Sequence, residues 1–303
     1  MGADSIKVVV TGASGLLGRA VLKEVSKRGY AAIGTAFSRA GAGLERLDLN
    51  DTTAVAQFME LHQPQAVIHC AAEVRPDIVE RNQAAAEQLN VKASGHLAQL
   101  AKDVGAFFVY ISSDYVFDGT KPPYHVGDTP NPLNFYGYTK FAGEQAVRGA
   151  NSQAAILRLP VLYGVAENPK EGSINTLISL VRGTRPASVD NVQPRFPTCT
   201  DDVARVLLDM VDMSVGPKHS LVEGVFHFSA KEKMTKYEMC KSFASILGVD
   251  IQNRITPVNE KPAEPVASRP ENSQLSTEAL EQIGISVDCV TFYEWWSVYL
   301  KQH

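Results

Sequence analysis

Apolar residues in the first half of the chain follow two patterns, short β-branched runs and longer segments with helical spacing. The short runs predict strands at 6–11, 31–37, 66–70, 107–112 and 154–159. The segments with apolar residues three or four positions apart predict helices at 16–28, 51–61, 84–103 and 133–148. Strands that alternate with helices of this length indicate an α/β fold, a doubly wound parallel sheet with crossover helices on both faces.

The second half of the chain has a less regular pattern. Helices are predicted at 173–182 and 236–247 and a strand at 225–228, whereas 186–200 has no clear period. Four prolines are expected to interrupt a long polar loop: Pro257, Pro262, Pro265 and Pro270. We expect a smaller mixed lobe here, interleaved with the sheet.

A glycine-rich turn joins the first predicted strand to the first predicted helix. Gly12, Gly15 and Gly18 let the backbone turn sharply and approach a diphosphate, and the helix N-terminus offers free N–H groups to it. The spacing differs from the usual Gly-x-Gly-x-x-Gly fingerprint, and a glycine-rich turn without a ligand is the alternative. We predict a Rossmann-type dinucleotide-binding domain at 1–160 and a substrate-side lobe at 161–303.

The end of the second predicted strand bears on the choice of cofactor. NAD-binding units usually carry an acid about 20 positions after the glycines, but no Asp or Glu lies between Glu24 and Glu45. Ser38 and Arg39 can instead donate to a 2′-phosphate, which favours NADP, although Arg39 as a surface charge is the alternative. Asp48 and Leu49 are further candidates beside the adenine, or an ordinary exposed turn. The predicted cofactor-binding set is completed by Leu16, Leu17, Ala71, Ala72, Asn90, Tyr136 and Lys140.

Candidate catalytic residues lie at the end of the fourth strand and at the start of the following helix. Ser113 follows the strand, and the ligand crevice of a parallel sheet lies at such carboxyl ends. Tyr136 and Lys140 share one helix face, where the ammonium is expected to lower the pKa of the phenol and favour proton transfer. Tyr237 and Lys241 have the same spacing without a preceding Ser-bearing strand, so we interpret Tyr237 as a packing residue.

Composition excludes several classes of function. The chain has 303 residues, 45% of them hydrophobic, and a formal net charge of −4, which does not indicate nucleic-acid binding. There is no apolar run of membrane-spanning length and no signal-peptide pattern, so we predict a cytoplasmic protein with four reduced cysteines.

The histidines do not form a metal set; His69 and His227 are predicted to be buried core residues. The proline-containing loop at 118–134 is expected to serve the site.

These motifs together resemble the extended short-chain dehydrogenase/reductase superfamily. Within it, 112–119 and the Arg-Pro-x-Asn-Ser-x-Leu stretch at 269–275 resemble dTDP-4-dehydrorhamnose reductases. The segments 15–21, 71–77, 104–107 and 234–239 resemble still more closely the regulatory β subunits of methionine adenosyltransferase. The resemblance implies NADP as the cofactor and Ser113, Tyr136 and Lys140 as the catalytic set.

The resemblance leaves three functions open. The first is a regulatory partner of the methionine adenosyltransferase catalytic subunit, in S-adenosylmethionine biosynthesis, with an inherited reductase site. The second is an NADPH-dependent reductase of a 4-keto-6-deoxy nucleotide sugar, and the third is an NADP-binding scaffold with neither role. The aromatic stretch 292–296 is a candidate interface anchor for the first function, or an ordinary terminal helix that covers the core.

Overall fold

The computed structural model describes residues 5–41, 43–168, 170–216, 222–260 and 267–302. Its strands are β1 Lys7–Thr11, β2 Ala31–Ala36, β3 Glu45–Arg46, β4 Ala66–His69, β5 Phe107–Ser113, β6 Ala155–Leu159, β7 Leu162–Tyr163, β8 Ala187–Asp190, β9 Thr198–Cys199, β10 Gly224–His227 and β11 Ile255–Val258. Its α-helices are α1 Leu16–Lys27, α2 Thr52–His62, α3 Pro76–Arg81, α4 Gln83–Glu87, α5 Ser94–Asp103, α6 Phe135–Ala150, α7 Asn175–Arg182, α8 Thr200–Val215, α9 Lys236–Leu247, α10 Glu278–Gln282 and α11 Phe292–Gln302.

Seven parallel strands form the main sheet, in the order β10-β6-β5-β4-β1-β2-β3. The chain adds β2 and β3 on one side of β1 and then adds β4, β5, β6 and β10 on the other side. Such a reversal opens a crevice at the carboxyl ends of β1 and β4, where ligands of open α/β sheets bind. The predicted α/β class with a doubly wound parallel sheet is therefore confirmed.

Each face of the sheet is covered by its own apolar layer. Val8 and Val10 of β1 belong to the layer shared with α1 and α8, whereas Val9 belongs to the layer shared with α2 and α5. Successive side chains of a strand point to opposite faces, and here both faces are buried. This explains why the central strands β1 and β4 carry apolar residues at successive positions.

Several elements differ from the sequence prediction. The predicted helix at 84–103 consists of α4, a π-helical segment at Gln88–Ala93, and α5. The stretch 186–200 is not wholly irregular, because it contains β8 and β9, and Pro257 lies inside β11 rather than in a loop. These strands belong to two-stranded sheets, which are too short to give a clear hydrophobic period. Pro262 and Pro265 lie outside the described residues.

The second half of the chain contributes to two cores. Its strand β10 pairs with β6 at the edge of the main sheet, and α8 packs on α1, where Arg28 forms ion pairs with Asp209 and Asp212. A separate core lies between α7, α9 and α11 and includes fully buried Phe292 and Trp296. The division of the chain at residue 160 stays a prediction.

Within the described ranges, the helices are too short or too polar to cross a membrane.

Candidate functional site

The glycine-rich turn holds α1 against the ends of β1 and β4. Gly12 has a φ of 64°, and a Cβ atom there would lie 2.8 Å from the backbone of Ala71. A Cβ atom on Gly18 would lie 2.2 Å from the carbonyl oxygen of Gly12, so the helix cannot approach the turn with a larger residue. Gly15 is the N-cap residue of α1 and carries no side chain to cover the amides of the first turn.

The first amides of α1 are those that an anion would contact. The N–H of Arg19 donates to the Gly15 carbonyl and is the first intrahelical bond, so the N–H groups of Leu16, Leu17 and Gly18 have no acceptor inside the helix. The first turn of α1 contains no acidic residue. These predicted cofactor residues therefore fit a diphosphate at the helix N-terminus.

The turn that follows β4 is held by buried polar groups. His69 Nδ1 lies 2.6 Å from Thr11 Oγ1, and its Nε2 lies 2.9 Å from Ser94 Oγ. Burial lowers the pKa of His69 to about 3, so the ring is neutral and serves as a core residue, as predicted. The turn contains Ala71 and Ala72, which are half-buried beside Gly12.

Asn90 fixes this same turn from the π-helical segment. Its Oδ1 accepts from the Glu73 N–H at 2.9 Å, and its Nδ2 donates to the Glu73 carbonyl at 3.1 Å and to Thr139 Oγ1 at 3.1 Å. The side chain is fully buried and connects the turn after β4 with α6. Asn90 thus positions two parts of the crevice by its own hydrogen bonds.

Of the residues predicted at the adenosine end, Arg39 lines a cavity of about 610 Å³. The cavity is lined by Ala13, Ser14, Arg19, Leu22, Lys23, Ser26, Arg39, Gly41, Leu44 and Glu167. Arg39 is half exposed, but its guanidinium also lies 3.4 Å from carboxylate oxygens of Glu167 and Glu171. Ser38, one residue earlier, is exposed at the end of β2.

Asp48 and Leu49 follow β3. Asp48 Oδ1 accepts from the N–H of Asn50 at 2.9 Å and from its side-chain amide at 3.1 Å, which is an Asx turn. Leu49 is buried in the apolar layer under α2. The turn interpretation of Asp48 thus has direct support in the hydrogen bonds, and its contact with adenine stays a prediction.

The three candidate catalytic side chains come together at the carboxyl end of β5. Ser113 closes the strand, and Asn134 caps α6 by accepting from the Gly137 N–H, which places Tyr136 and Lys140 in the first turns of that helix. The Ser113 hydroxyl lies beside the Tyr136 phenol and acts to lower its pKa. The Lys140 ammonium lies 4.2 Å from the centre of the Tyr110 ring, and all three residues are buried.

Burial decides the protonation of this group. It raises the pKa of Tyr136 well above its usual value, although the Ser113 hydrogen bond opposes the shift. It lowers the pKa of Lys140 to about 7, against the attraction of the Glu144 carboxylate. The expectation that Lys140 lowers the pKa of Tyr136 is therefore wrong for this structure, because desolvation of the phenolate outweighs nearby charge. The phenol is protonated at neutral pH.

A carboxylate that sequence analysis did not single out lies behind Ser113. Ser113 Oγ donates to Asp114 Oδ1 at 3.1 Å, and Ser273 Oγ donates to Asp114 Oδ2. Burial raises the pKa of Asp114, while the hydrogen bond from Ser273 and the charge of Arg195 oppose the shift. These bonds connect the Arg-Pro-x-Asn-Ser motif of the second half with the β5 end, a contact between residues far apart in sequence.

A buried ion pair, also missed at the sequence level, anchors α6 to the sheet. Glu144 accepts from Arg158 of β6 at 2.7 and 2.9 Å and from Ser112 at 2.5 Å. The Nε2 atom of His227 in β10 lies 3.3 Å from Arg158 Nη1. His227 is buried, so its prediction as a core residue is confirmed. Glu144 lies four positions after Lys140 and therefore on the same helix face, and this spacing could have drawn attention to Glu144 in the sequence.

The remaining candidates have structural roles. Tyr237 is half-buried against the second core, with the Lys241 ammonium 5.5 Å from its ring centre, as expected for a packing residue. In the 118–134 loop, the Asp118 carboxylate accepts from Tyr124 Oη at 2.6 Å, and Tyr124 pairs with Leu275. No three His, Cys, Asp or Glu side chains of the described residues are grouped so that they could hold a metal ion.

The sheet order, the glycine-rich turn and the crevice define a Rossmann-type protein of the short-chain dehydrogenase/reductase class. The chain belongs to the RmlD substrate binding domain family, which matches residues 6–292. It is 45% identical over 280 residues to methionine adenosyltransferase 2 subunit beta of Bos taurus. The alignment covers 92% of this chain and 83% of the bovine protein.

Solved structures show the same fold. The dTDP-4-dehydrorhamnose reductase from Bacillus anthracis, in complex with NADP, superposes with a TM-score of 0.86 at 27% sequence identity. The superposition covers 99% of this chain and 100% of the reductase chain. The reductase from Clostridium acetobutylicum has a TM-score of 0.85 and 31% identity, with coverage of 98% and 99%. The higher identity to the β subunit favours the regulatory interpretation over the reductase interpretation.

Proposed function

We propose that the protein is an NADP-binding regulatory subunit that associates with the catalytic subunit of methionine adenosyltransferase. The observation that carries this proposal is the 45% identity to the bovine β subunit across 92% of the chain. A bound dinucleotide stabilises the fold by mass action, which gives a regulatory subunit a reason to keep its cofactor crevice.

We further propose that α11 contributes to the contact with the catalytic subunit. Phe292 and Trp296 face the core, so the outward side of the helix is the part available to a partner. Tyr293 is 50% exposed and Val298 60% exposed. Exposed aromatic and aliphatic side chains on a helix anchored by buried aromatics form a rigid surface for a partner.

The proposal is tested by co-elution of the two purified proteins, with and without NADP⁺. We expect a complex at micromolar concentration, and a Tyr293→Ser/Val298→Ser double variant that binds about tenfold more weakly or worse. Leu61→Ser is the matched control, because Leu61 is 76% exposed on α2. If wild type forms no complex under either condition, the regulatory proposal is wrong.

The cofactor part is tested separately by titration of NADP⁺ and NAD⁺. A charge-assisted contact to the 2′-phosphate contributes roughly 1.5–3 kcal/mol, or about ten- to a hundredfold in affinity. We expect NADP⁺ to bind more tightly by this factor, and Arg39→Ala to remove much of the difference. Equal affinities in wild type would contradict the choice of NADP.

The arrangement of Ser113, Tyr136 and Asp114 supports a second candidate function, reduction of a 4-keto-6-deoxy nucleotide sugar. Bound NADPH would supply the hydride. The protonated Tyr136 phenol would donate its proton to the carbonyl oxygen, which the Ser113 hydroxyl would hold by a hydrogen bond. The hydride would go to the carbonyl carbon, so that the products are the alcohol and NADP⁺, and the Tyr136 phenolate would recover a proton from water.

This candidate is tested by NADPH oxidation in the presence of such a substrate. We expect Tyr136→Phe to abolish any turnover and to leave cofactor binding nearly intact, whereas Tyr237→Phe should change neither. Turnover that survives Tyr136→Phe would show that another group is the acid.

A further inference from the structure

Two arginines from different elements share one carboxylate at the adenosine end of the crevice. Arg19 lies in the first turn of α1, Arg39 follows β2, and Glu171 belongs to the segment that leads into α7. Glu171 Oε2 lies 2.6 Å from Arg19 Nη2, and Oε1 lies 3.0 Å from Arg19 Nη1 and 3.4 Å from Arg39 Nη1. The carboxylate thus lies between two guanidinium groups, which is the position that an anionic ligand would take.

The surroundings favour an anion at this point. The cavity of about 610 Å³ is lined by three cationic side chains, Arg19, Lys23 and Arg39, and by one acid, Glu167. The Glu171 side chain is only 12% exposed. Partial burial acts to raise the pKa of Glu171, but the hydrogen bonds from Arg19, from the Glu167 N–H and from Arg39, together with the charge of Arg19, hold the pKa below its usual value. Glu171 is therefore a negatively charged group at neutral pH.

We propose that Glu171 is a built-in competitor for the 2′-phosphate of NADP and that Arg19 is the second cation of the phosphate site beside Arg39. This inference rests on the proposed binding of NADP. A sugar phosphate monoester carries about −1.5 to −2 charges at pH 7. If Glu171 stayed in place, two guanidinium groups would face about three negative charges, so the phosphate displaces the carboxylate. NAD, which has a hydroxyl group there, leaves the carboxylate bound to the arginines.

Displacement of Glu171 has a consequence for the adjoining segment. The Glu171 carboxylate accepts the Glu167 N–H at 3.0 Å, and Arg19 donates to the Val165 carbonyl at 2.9 Å. A Cβ atom on Gly172 would lie 3.3 Å from Leu16 Cδ2, so the backbone at Gly172 passes close to the first residue of α1. The described residues 165–168 and 170–171 are therefore held to α1 chiefly through Arg19 and Glu171. Binding of NADP should release it, whereas binding of NAD should not.

The first experiment titrates NADP⁺ and NAD⁺ against wild type, Glu171→Gln, Arg19→Met and the control Glu60→Gln, at one ionic strength. Glu60 is exposed near the C-terminal end of α2, so its substitution removes the same charge elsewhere. We expect Glu171→Gln to bind NADP⁺ about three- to tenfold more tightly and Arg19→Met to bind it about tenfold more weakly. Affinity for NAD⁺ should change less than twofold in each variant.

The second experiment measures amide hydrogen exchange in residues 165–168 and 170–171. We expect NADP⁺ to accelerate exchange at the Glu167 amide in wild type, contrary to the usual protection by a ligand, and NAD⁺ to leave it unchanged. Slower exchange with NADP⁺, or an unchanged NADP⁺ affinity in Glu171→Gln, would overturn the competitor role. Equal weakening of both cofactors in Arg19→Met would overturn the Arg19 assignment. If wild type shows no preference for NADP⁺, the cofactor proposal itself falls.

Discussion

Helices α6 and α9 carry the same Tyr-x-x-x-Lys spacing in different surroundings. In α6, Tyr136 and Lys140 are buried, the Tyr136 phenol lies beside the Ser113 hydroxyl, and Lys140 lies over the Tyr110 ring. In α9, Tyr237 is half-buried and Lys241 is exposed, with the ammonium over the ring of its own tyrosine.

The difference comes from what each helix packs against. The α6 helix lies against the carboxyl end of β5 and is fixed by the Glu144–Arg158 ion pair, so its polar groups face the cofactor crevice. The α9 helix begins with the Thr235–Glu238 capping box and packs in the second core. The spacing alone brings two side chains to one helix face, and the neighbouring elements decide whether they can carry chemistry.

The largest expected difference concerns the anchor of each helix. Eight residues after each tyrosine lie Glu144 in α6 and Ser245 in α9. Glu144→Gln leaves the Arg158 charge buried without its counter-ion, which should lower the free energy of unfolding by about 3–5 kcal/mol. Ser245→Ala, at an exposed position, should change it by less than about 0.5 kcal/mol. Urea denaturation measures both, and similar values for the two variants would refute the anchoring role.

An intermediate effect is expected from the two lysines as pH changes. Because the folded pKa of Lys140 is about 7, compared with a usual 10.5, the unfolded chain binds more protons above pH 7. The free energy of unfolding of wild type, relative to Lys140→Met, should therefore rise by about 1–3 kcal/mol from pH 7 to pH 9.

Lys241→Met is the control for this measurement. It removes an exposed lysine at the matching position of α9, so an effect common to both variants comes from the loss of a lysine and not from its burial. A constant difference for Lys140→Met would mean that the buried ammonium is better solvated than its surroundings indicate.

The smallest expected difference concerns the tyrosine hydroxyl groups. Tyr136→Phe removes a buried hydroxyl beside Ser113 and should lower the free energy of unfolding by about 1 kcal/mol. Tyr237→Phe, at a half-buried position, should change it by less than about 0.5 kcal/mol. Thermal unfolding of the two variants in parallel would distinguish them, and an equal effect would remove this part of the contrast between α6 and α9.

Much of the nucleotide-binding half could be predicted from local pattern. The strands are apolar on both faces, and the glycines lie at the turn where only glycine fits, so β1, α1 and their junction are visible in the sequence. The short strands β8, β9 and β11 were missed because two-stranded sheets leave little periodic signal. The helix α8 was also not predicted, although it covers one face of the main sheet.

The candidate site was predictable in its parts but not in its connections. Arg39 was singled out by the absence of an acid near it, whereas its contact with Glu171 joins residues 132 positions apart. The bond from Ser273 to Asp114 spans 159 positions. The pKa of Lys140 could not be predicted from the sequence, because it depends on burial by elements far away along the chain.

By itself, the sequence determined the alternation of the main strands and helices in the first half, the glycine-rich turn and the residues that share a helix face, because each of these depends on neighbours a few positions away. Only the tertiary structure decided which of the two Tyr-x-x-x-Lys pairs is buried beside Ser113, and which acid lies between Arg19 and Arg39. Desolvation and charge pairing depend on distance in space, and the sheet brings together groups that the chain keeps far apart.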